Sequence, residues 1–211
     1  MSKVEEPQGE YRRIPKKVSL EMYLKMIADG TSRLEYHDGE IVDIKSATDA
    51  HGMICTNLTA LLKSCMREND CKLYAGDREV WVADCNKVYY PDLVVVCGEH
   101  ELKEMSENVK ATINPSIIIE VLSDSTKNYD LTKKSKCYKK LSSLKQIILV
   151  WQDEPFVMVK NKNDKGEWVE SDYSEEEDEV EIGHCKVTIK EIYEDVDFEN
   201  KPERVSDSQK Y

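Results

Sequence analysis

PSIIIEVLSDST, residues 115–126, is the stretch on which the fold turns. Three isoleucines run into Glu120, and Val121 and Leu122 follow. A short apolar run bounded by Pro115 and Ser123 predicts a strand buried on both faces. A carboxylate inside such a strand is costly, because an ion moved from water into a dry interior needs a partner or a cation to compensate. Glu120 therefore predicts a neighbour of opposite charge.

KVYYPDLVVVC, residues 87–97, poses the same question with Asp92, which follows Pro91 and opens a second buried run. Side by side, the two strands would bring two carboxylates within reach of one divalent cation. Magnesium takes one or two carboxylates together with waters and substrate phosphates. Such an ion polarises a phosphodiester and generates a hydroxide nucleophile.

A third charged group comes from LTKKSKCYKKL, residues 131–141, read as a helix. Leu131, Tyr138 and Leu141 share its inward face. Lys134 lies three residues after Leu131 and four before Tyr138, so it shares that face too, while Lys133, Lys136 and Lys140 point the other way. A lysine aimed at two carboxylates suits orientation of an attacking water or stabilisation of developing phosphorane charge. Each residue also has a plainer reading. Asp92 can be a strand-end residue satisfied by backbone donors, Glu120 an ion pair with Lys134, and Lys134 a stem laid over the core with its amine in water.

Around this centre the chain reads as alternating strands and helices. Ser19 caps a short helix in LEMYLKMIADG, and Asp38-Gly39 is a hairpin turn between two short strands. Residues 49–68 form a longer helix, with Ile54, Leu58, Leu61, Leu62 and Cys65 on one face and His51 at its start. Later strands fall in KLYAGDREVWVAD, QIILVWQ, PFVMVKN, EWVESDYS and KVTI, with a closing helical turn in IKEIYEDV. We expect one domain over residues 18–198, a polar tail over 1–17 and another over 199–211.

The net charge of −12 argues against an overall basic nucleic-acid binder. That charge is local. Residues 161–211 hold 17 acidic and 7 basic residues, whereas residues 127–145 carry seven lysines against one aspartate. The acidic run 175–181 reads as a solvated turn. No apolar run of about 18 residues predicts a membrane span, and the polar N-terminus does not read as a secretory signal. The seven cysteines are scattered and lack a CxxC pair. Reduced, core-filling thiols of a cytoplasmic protein are expected from them.

YPDLVVV, IIIEVLSDSTKNYDLTKKSKCYKKL and QIILVWQ resemble the Uma-two family of restriction-endonuclease-like proteins, a domain-of-unknown-function group in the PD-(D/E)XK nuclease superfamily. SLEMYLKM, RLEYHDGEIVDI, the His51 helix, GDREVWV and TIKEIYEDVDF follow the same order, so the resemblance covers roughly residues 18–198. It implies an α/β (α+β) fold with a restriction-endonuclease-like core, a central mixed β-sheet flanked by helices, and additional antiparallel strands. It also implies Mg²⁺-dependent hydrolysis of phosphodiester bonds, with Mn²⁺ as a substitute.

Residue by residue, Pro91-Asp92 matches the PD element and Glu120 the acidic position, which makes Asp92 and Glu120 the metal ligands. The usual lysine two places on is Leu122 here. The resemblance implies that the lysine has moved to the following helix, where Lys134 matches it. Glu35 and His51 match positions that the family fills with those residue types, and Asp77 is a weaker auxiliary candidate. Lys133 and Lys136 are expected to attract a nucleic-acid backbone, DNA first, and two sites for two strands suggest a homodimer. The competing expectation is a nucleic-acid-binding or regulatory protein that keeps the fold without turnover. A third is an unrelated α/β protein whose buried carboxylates are structural ion pairs.

Overall fold

Alternation along Ile117–Leu122 decides how the layers assemble. Ile117, Ile119 and Val121 pack into one core with Ile54, Leu58, Leu62 and Met66. Ile118 and Leu122 pack into a second core with Tyr138, Leu141 and Leu144. Successive side chains of a strand point to opposite faces, so this one strand contributes to both cores and sends Glu120 to the second. We describe the chain from a computed structural model over residues 12–13, 17–28, 33–44, 47–76, 78–107, 109–123 and 126–198.

The central sheet has six strands, in the order Trp168–Tyr173, Val157–Lys162, Gln146–Trp151, Ile117–Leu122, Leu93–Cys97, Cys71–Ala75. Ile117–Leu122 runs parallel to Gln146–Trp151 and antiparallel to Leu93–Cys97, so the sheet is mixed. A parallel pair needs a crossover, and residues 127–138 supply it as a helix over one face. The helix Asp49–Glu68 covers the other face. Pairing of Ile119 with Leu93 ends the antiparallel ladder. Continued by one residue, that register sets Glu120 opposite Asp92.

A second sheet of seven strands packs its own apolar residues beneath the helix Leu20–Ile27. Ser19 Oγ accepts the Met22 N–H at 3.2 Å and starts that helix. The turn Asp38-Gly39 joins Leu34–His37 to Glu40–Asp43, with φ of 52° and 97°. Both values are positive, as a two-residue hairpin turn of this kind demands. Arg12–Arg13 pairs with the second of those strands, inside the stretch expected to be a tail. Residues 1–11 and 199–211 lie outside the described residues. No helix among the described residues is long and apolar enough to cross a membrane.

The cysteines depart from expectation. Six of the seven are joined as Cys65–Cys185, Cys71–Cys97 and Cys85–Cys137, so the reading as reduced core thiols is corrected. Cys71 and Cys97 are direct cross-strand partners. Cys65 lies on the long helix and Cys185 on the late hairpin Glu179–Ile182/Cys185–Thr188. Pairings of this kind come from tertiary register and leave no mark in sequence spacing.

Candidate active site

The crossover helix is not uniformly α. Its middle, Asp130–Lys134, is wound as a π-helix, and the Ser135 N–H reaches back to the Asp130 carbonyl. Asp130, Lys134 and Tyr138 follow one another at intervals of four and share the buried face, while Leu131 is only half-buried. Such π-turns are frequent at functional positions.

Lys134 is 3% exposed and meets three carboxylates. Its Nζ lies 3.0 Å from Glu120 Oε1, 3.2 Å from Glu35 Oε1 and 3.7 Å from Asp130 Oδ1. It also stands 5.4 Å from the centre of the Tyr89 ring, within cation–π range. Tyr138 donates its hydroxyl to Glu120 Oε1 at 2.6 Å. Glu35 arrives from the strand Leu34–His37, is 1% exposed, and accepts the Tyr90 N–H at 3.1 Å. Its other oxygen lies 2.8 Å from His37 Nε2, and His37 Nδ1 lies 3.1 Å from the Tyr129 hydroxyl.

These environments drive the three carboxyls apart. Burial acts to raise Glu35, but the Lys134 ammonium, His37 and the Tyr90 amide outweigh it and hold the group down to about 2. Burial pushes Glu120 up to about 8. Lys134 offsets only part of that, and the charges of Asp92 and Asp130 add to it. Burial likewise pushes Asp130 up to about 6 against the pull of Lys134. Burial works to lower Lys134, but Glu120 and Glu35 more than reverse this and hold it well above the usual lysine value. Lys134 is thus a fixed positive charge that neutralises one of several carboxylates.

The second half of the site opens to solvent. Asp92 Oδ2 accepts the Val121 N–H at 2.7 Å, which fixes the carboxylate beside the Glu120 strand. Asp92 Oδ1 faces His51 Nε2 at 3.1 Å, and the two side chains are 19% and 20% exposed. Thr48 caps the helix that carries His51 by accepting the His51 N–H at 3.2 Å. Burial acts to lower the His51 value, and the bond and charge of Asp92 raise it overall. Cys55 follows one turn later. Among the described residues, His51, Cys55 and Asp92 form a group whose ligand atoms all lie within 4.8 Å of one another.

The structure therefore brings Glu35, Glu120 and Lys134 together, and Asp92 with His51 at the adjacent strand end. Asp77 lies outside the described residues. Lys133 and Lys136 are exposed on the outer face of the helix. Sequence reasoning missed Asp130, His37 and Cys55, and took Tyr138 only as an apolar contact. His37 is two residues from Glu35 on one strand face, and Asp130 is four before Lys134. Both spacings were visible signals. The residues fit a divalent cation on one observation, the donors of His51, Cys55 and Asp92 clustered at the strand end.

A family model described as "Putative restriction endonuclease", Uma2, matches residues 20–185. The uncharacterized protein sll1609 of Synechocystis sp. is 28% identical over 165 residues, covering 78% of this chain and 92% of its own. The uncharacterized protein slr1290 of the same organism is 27% identical over 157 residues, covering 74% and 80%. A crystal structure of "a putative nuclease belonging to DUF820" from Anabaena variabilis superposes with a TM-score of 0.66 at 18% identity, covering 83% of this chain and 97% of that one. That likeness shows a shared restriction-endonuclease-like fold.

Proposed function

The chain belongs to the Uma2 family, and from that membership we propose that it is a divalent-metal-dependent endonuclease acting on nucleic-acid phosphodiesters, DNA first. The observation that carries this reading is the inward Lys134, held charged between Glu120 and Glu35 beside the Asp92 strand end. Asp92 and Glu120 would hold Mg²⁺ or Mn²⁺, with Glu35 and His51 as auxiliary groups and Asp77 a weaker candidate. When bound there, such a cation would supply Lewis-acid polarisation and activation of a water.

What the chain's own residues do follows from their charge. Lys134 stays protonated, so it acts as a fixed electrostatic group and not as the base. His51, on the open side next to Asp92, is placed to order a water. The exposed Lys133 and Lys136 attract the phosphate backbone. A homodimer would give one site per strand. A cytoplasmic location is part of the same reading, although three bonded cysteine pairs weigh against it.

One observation favours the alternative of a binding or regulatory protein: Glu120 Oε1 is already engaged by Lys134 and Tyr138. Nicking of supercoiled plasmid in Mg²⁺ or Mn²⁺ separates the two. Cleavage by the wild type that vanishes in Asp92→Ala and Glu120→Ala, with unchanged circular dichroism, is the expected result. A wild type that binds DNA but leaves DNA and RNA uncut in Mg²⁺, Mn²⁺, Co²⁺ and Zn²⁺ would establish the alternative.

A further inference from the structure

We propose that Cys55 is a metal ligand and makes the Asp92 site select a thiophilic cation, zinc or cobalt, over magnesium. The inference rests on the reading of Asp92 as a metal ligand and deepens it. His51 and Cys55 are four residues apart on the helix Asp49–Glu68, so their side chains stack on one face. That face meets Asp92, and the His51 nitrogen, the Cys55 sulfur and the Asp92 oxygen gather within 4.8 Å of one another.

The donors are individually positioned. Asp92 is anchored by the Val121 amide at 2.7 Å, which leaves Oδ1 for His51 or a cation. Among the described cysteines Cys55 alone is outside a disulfide, so its sulfur is not committed to another bond. It is half-buried, with its side chain against the Ile54–Leu58 core, and that position holds it in place. One nitrogen, one sulfur and one oxygen, with a fourth direction open to solvent past His51 and Asp92, is the donor count of a catalytic zinc centre. Magnesium takes oxygen ligands and keeps several waters, whereas a thiolate selects softer ions.

Cobalt(II) added to the chelator-treated, non-reduced full chain tests the assignment, because a thiolate ligand produces a charge-transfer band in the near ultraviolet. The expected result is a band that saturates at one cobalt per chain, is abolished by stoichiometric zinc, and survives a large excess of magnesium. Cys55→Ser and Cys55→Ala should both lose the band while calorimetry still registers weakened cobalt binding. Cobalt bound without the band, or a band that persists in both Cys55 variants, overturns the proposal. If that band-free binding disappears in Asp92→Ala, the metal-site reading stands and only Cys55 is excluded. No cobalt or manganese binding to the folded wild type overturns both.

Discussion

The Nζ of Lys134 lies 3.0 Å from Glu120 Oε1, and both side chains are almost completely removed from water. Removing Lys134 leaves the ionised Glu35 buried without its countercharge and drives Glu120 further towards its neutral form. Lys134→Met should therefore cost about 3–5 kcal/mol in urea unfolding. Adding Glu120→Gln should recover part of the loss and not all of it, because Glu35 also faces the ammonium at 3.2 Å. Additive effects of the two substitutions would show that the pair is not energetically coupled.

Glu35 and Asp130 flank the same lysine yet should respond to pH with opposite sign. Asp130 titrates at about 6 in the folded chain, against about 3.9 when unfolded. Its ionised form thus costs stability above pH ~6. That cost fades as pH falls and is gone below pH ~4. Asp130→Asn should stabilise by about 2 kcal/mol at pH 7.5 and be neutral at pH 4.

Glu35 is held down to about 2, so its stabilisation is present above pH ~4.3 and lost as pH falls towards 2. Glu35→Gln should cost about 3 kcal/mol near neutrality, and progressively less below pH ~4. Urea melts of both variants across pH check the pair, and a destabilised Asp130→Asn at pH 7.5 would contradict the assignment.

The middle of the central sheet was legible because its inner strands, Leu93–Cys97, Ile117–Leu122 and Gln146–Trp151, are dense apolar runs. Asp92 and Glu120 stood out against those runs. Lys134 was found through a helical period, though the real turn around it is wider. Asp130 escaped notice because the sequence pattern starts the helix at Leu131, one residue too late, although a spacing of four from Lys134 puts Asp130 on the same face. Cys55 was hidden for a different reason. It sits on an ordinary apolar helix face, and only the approach of Asp92 from a distant strand turns it into a donor.

The cysteines were illegible because register decides them. Cys65–Cys185 closes 120 residues and Cys71–Cys97 closes 26. In the chain-entropy picture these are worth about 5 and about 3.5 kcal/mol. Cys65→Ser/Cys185→Ser should therefore lower Tm more than Cys71→Ser/Cys97→Ser. Alkylation of the non-reduced, denatured chain should attach a single label, at Cys55. Seven labels would return the cysteines to the reduced state and restore the ground for a cytoplasmic location.

Lys133 and Lys136 are neighbours of Lys134 in sequence but project into water. Their expected contribution is long-range attraction to phosphate, which is visible in salt dependence and not in stability. Each lysine that neutralises one phosphate of duplex DNA adds about 0.9 to the slope of log K against log salt. Lys133→Ala/Lys136→Ala should therefore flatten that slope by about 1.8. Tm should stay within a degree or so, because exposed substitutions away from caps and cores rarely move stability. Fluorescence anisotropy with a labelled duplex over a salt series measures the slope directly. An unchanged slope would place the phosphate path elsewhere, because the charges of both residues would then be absent from the bound complex.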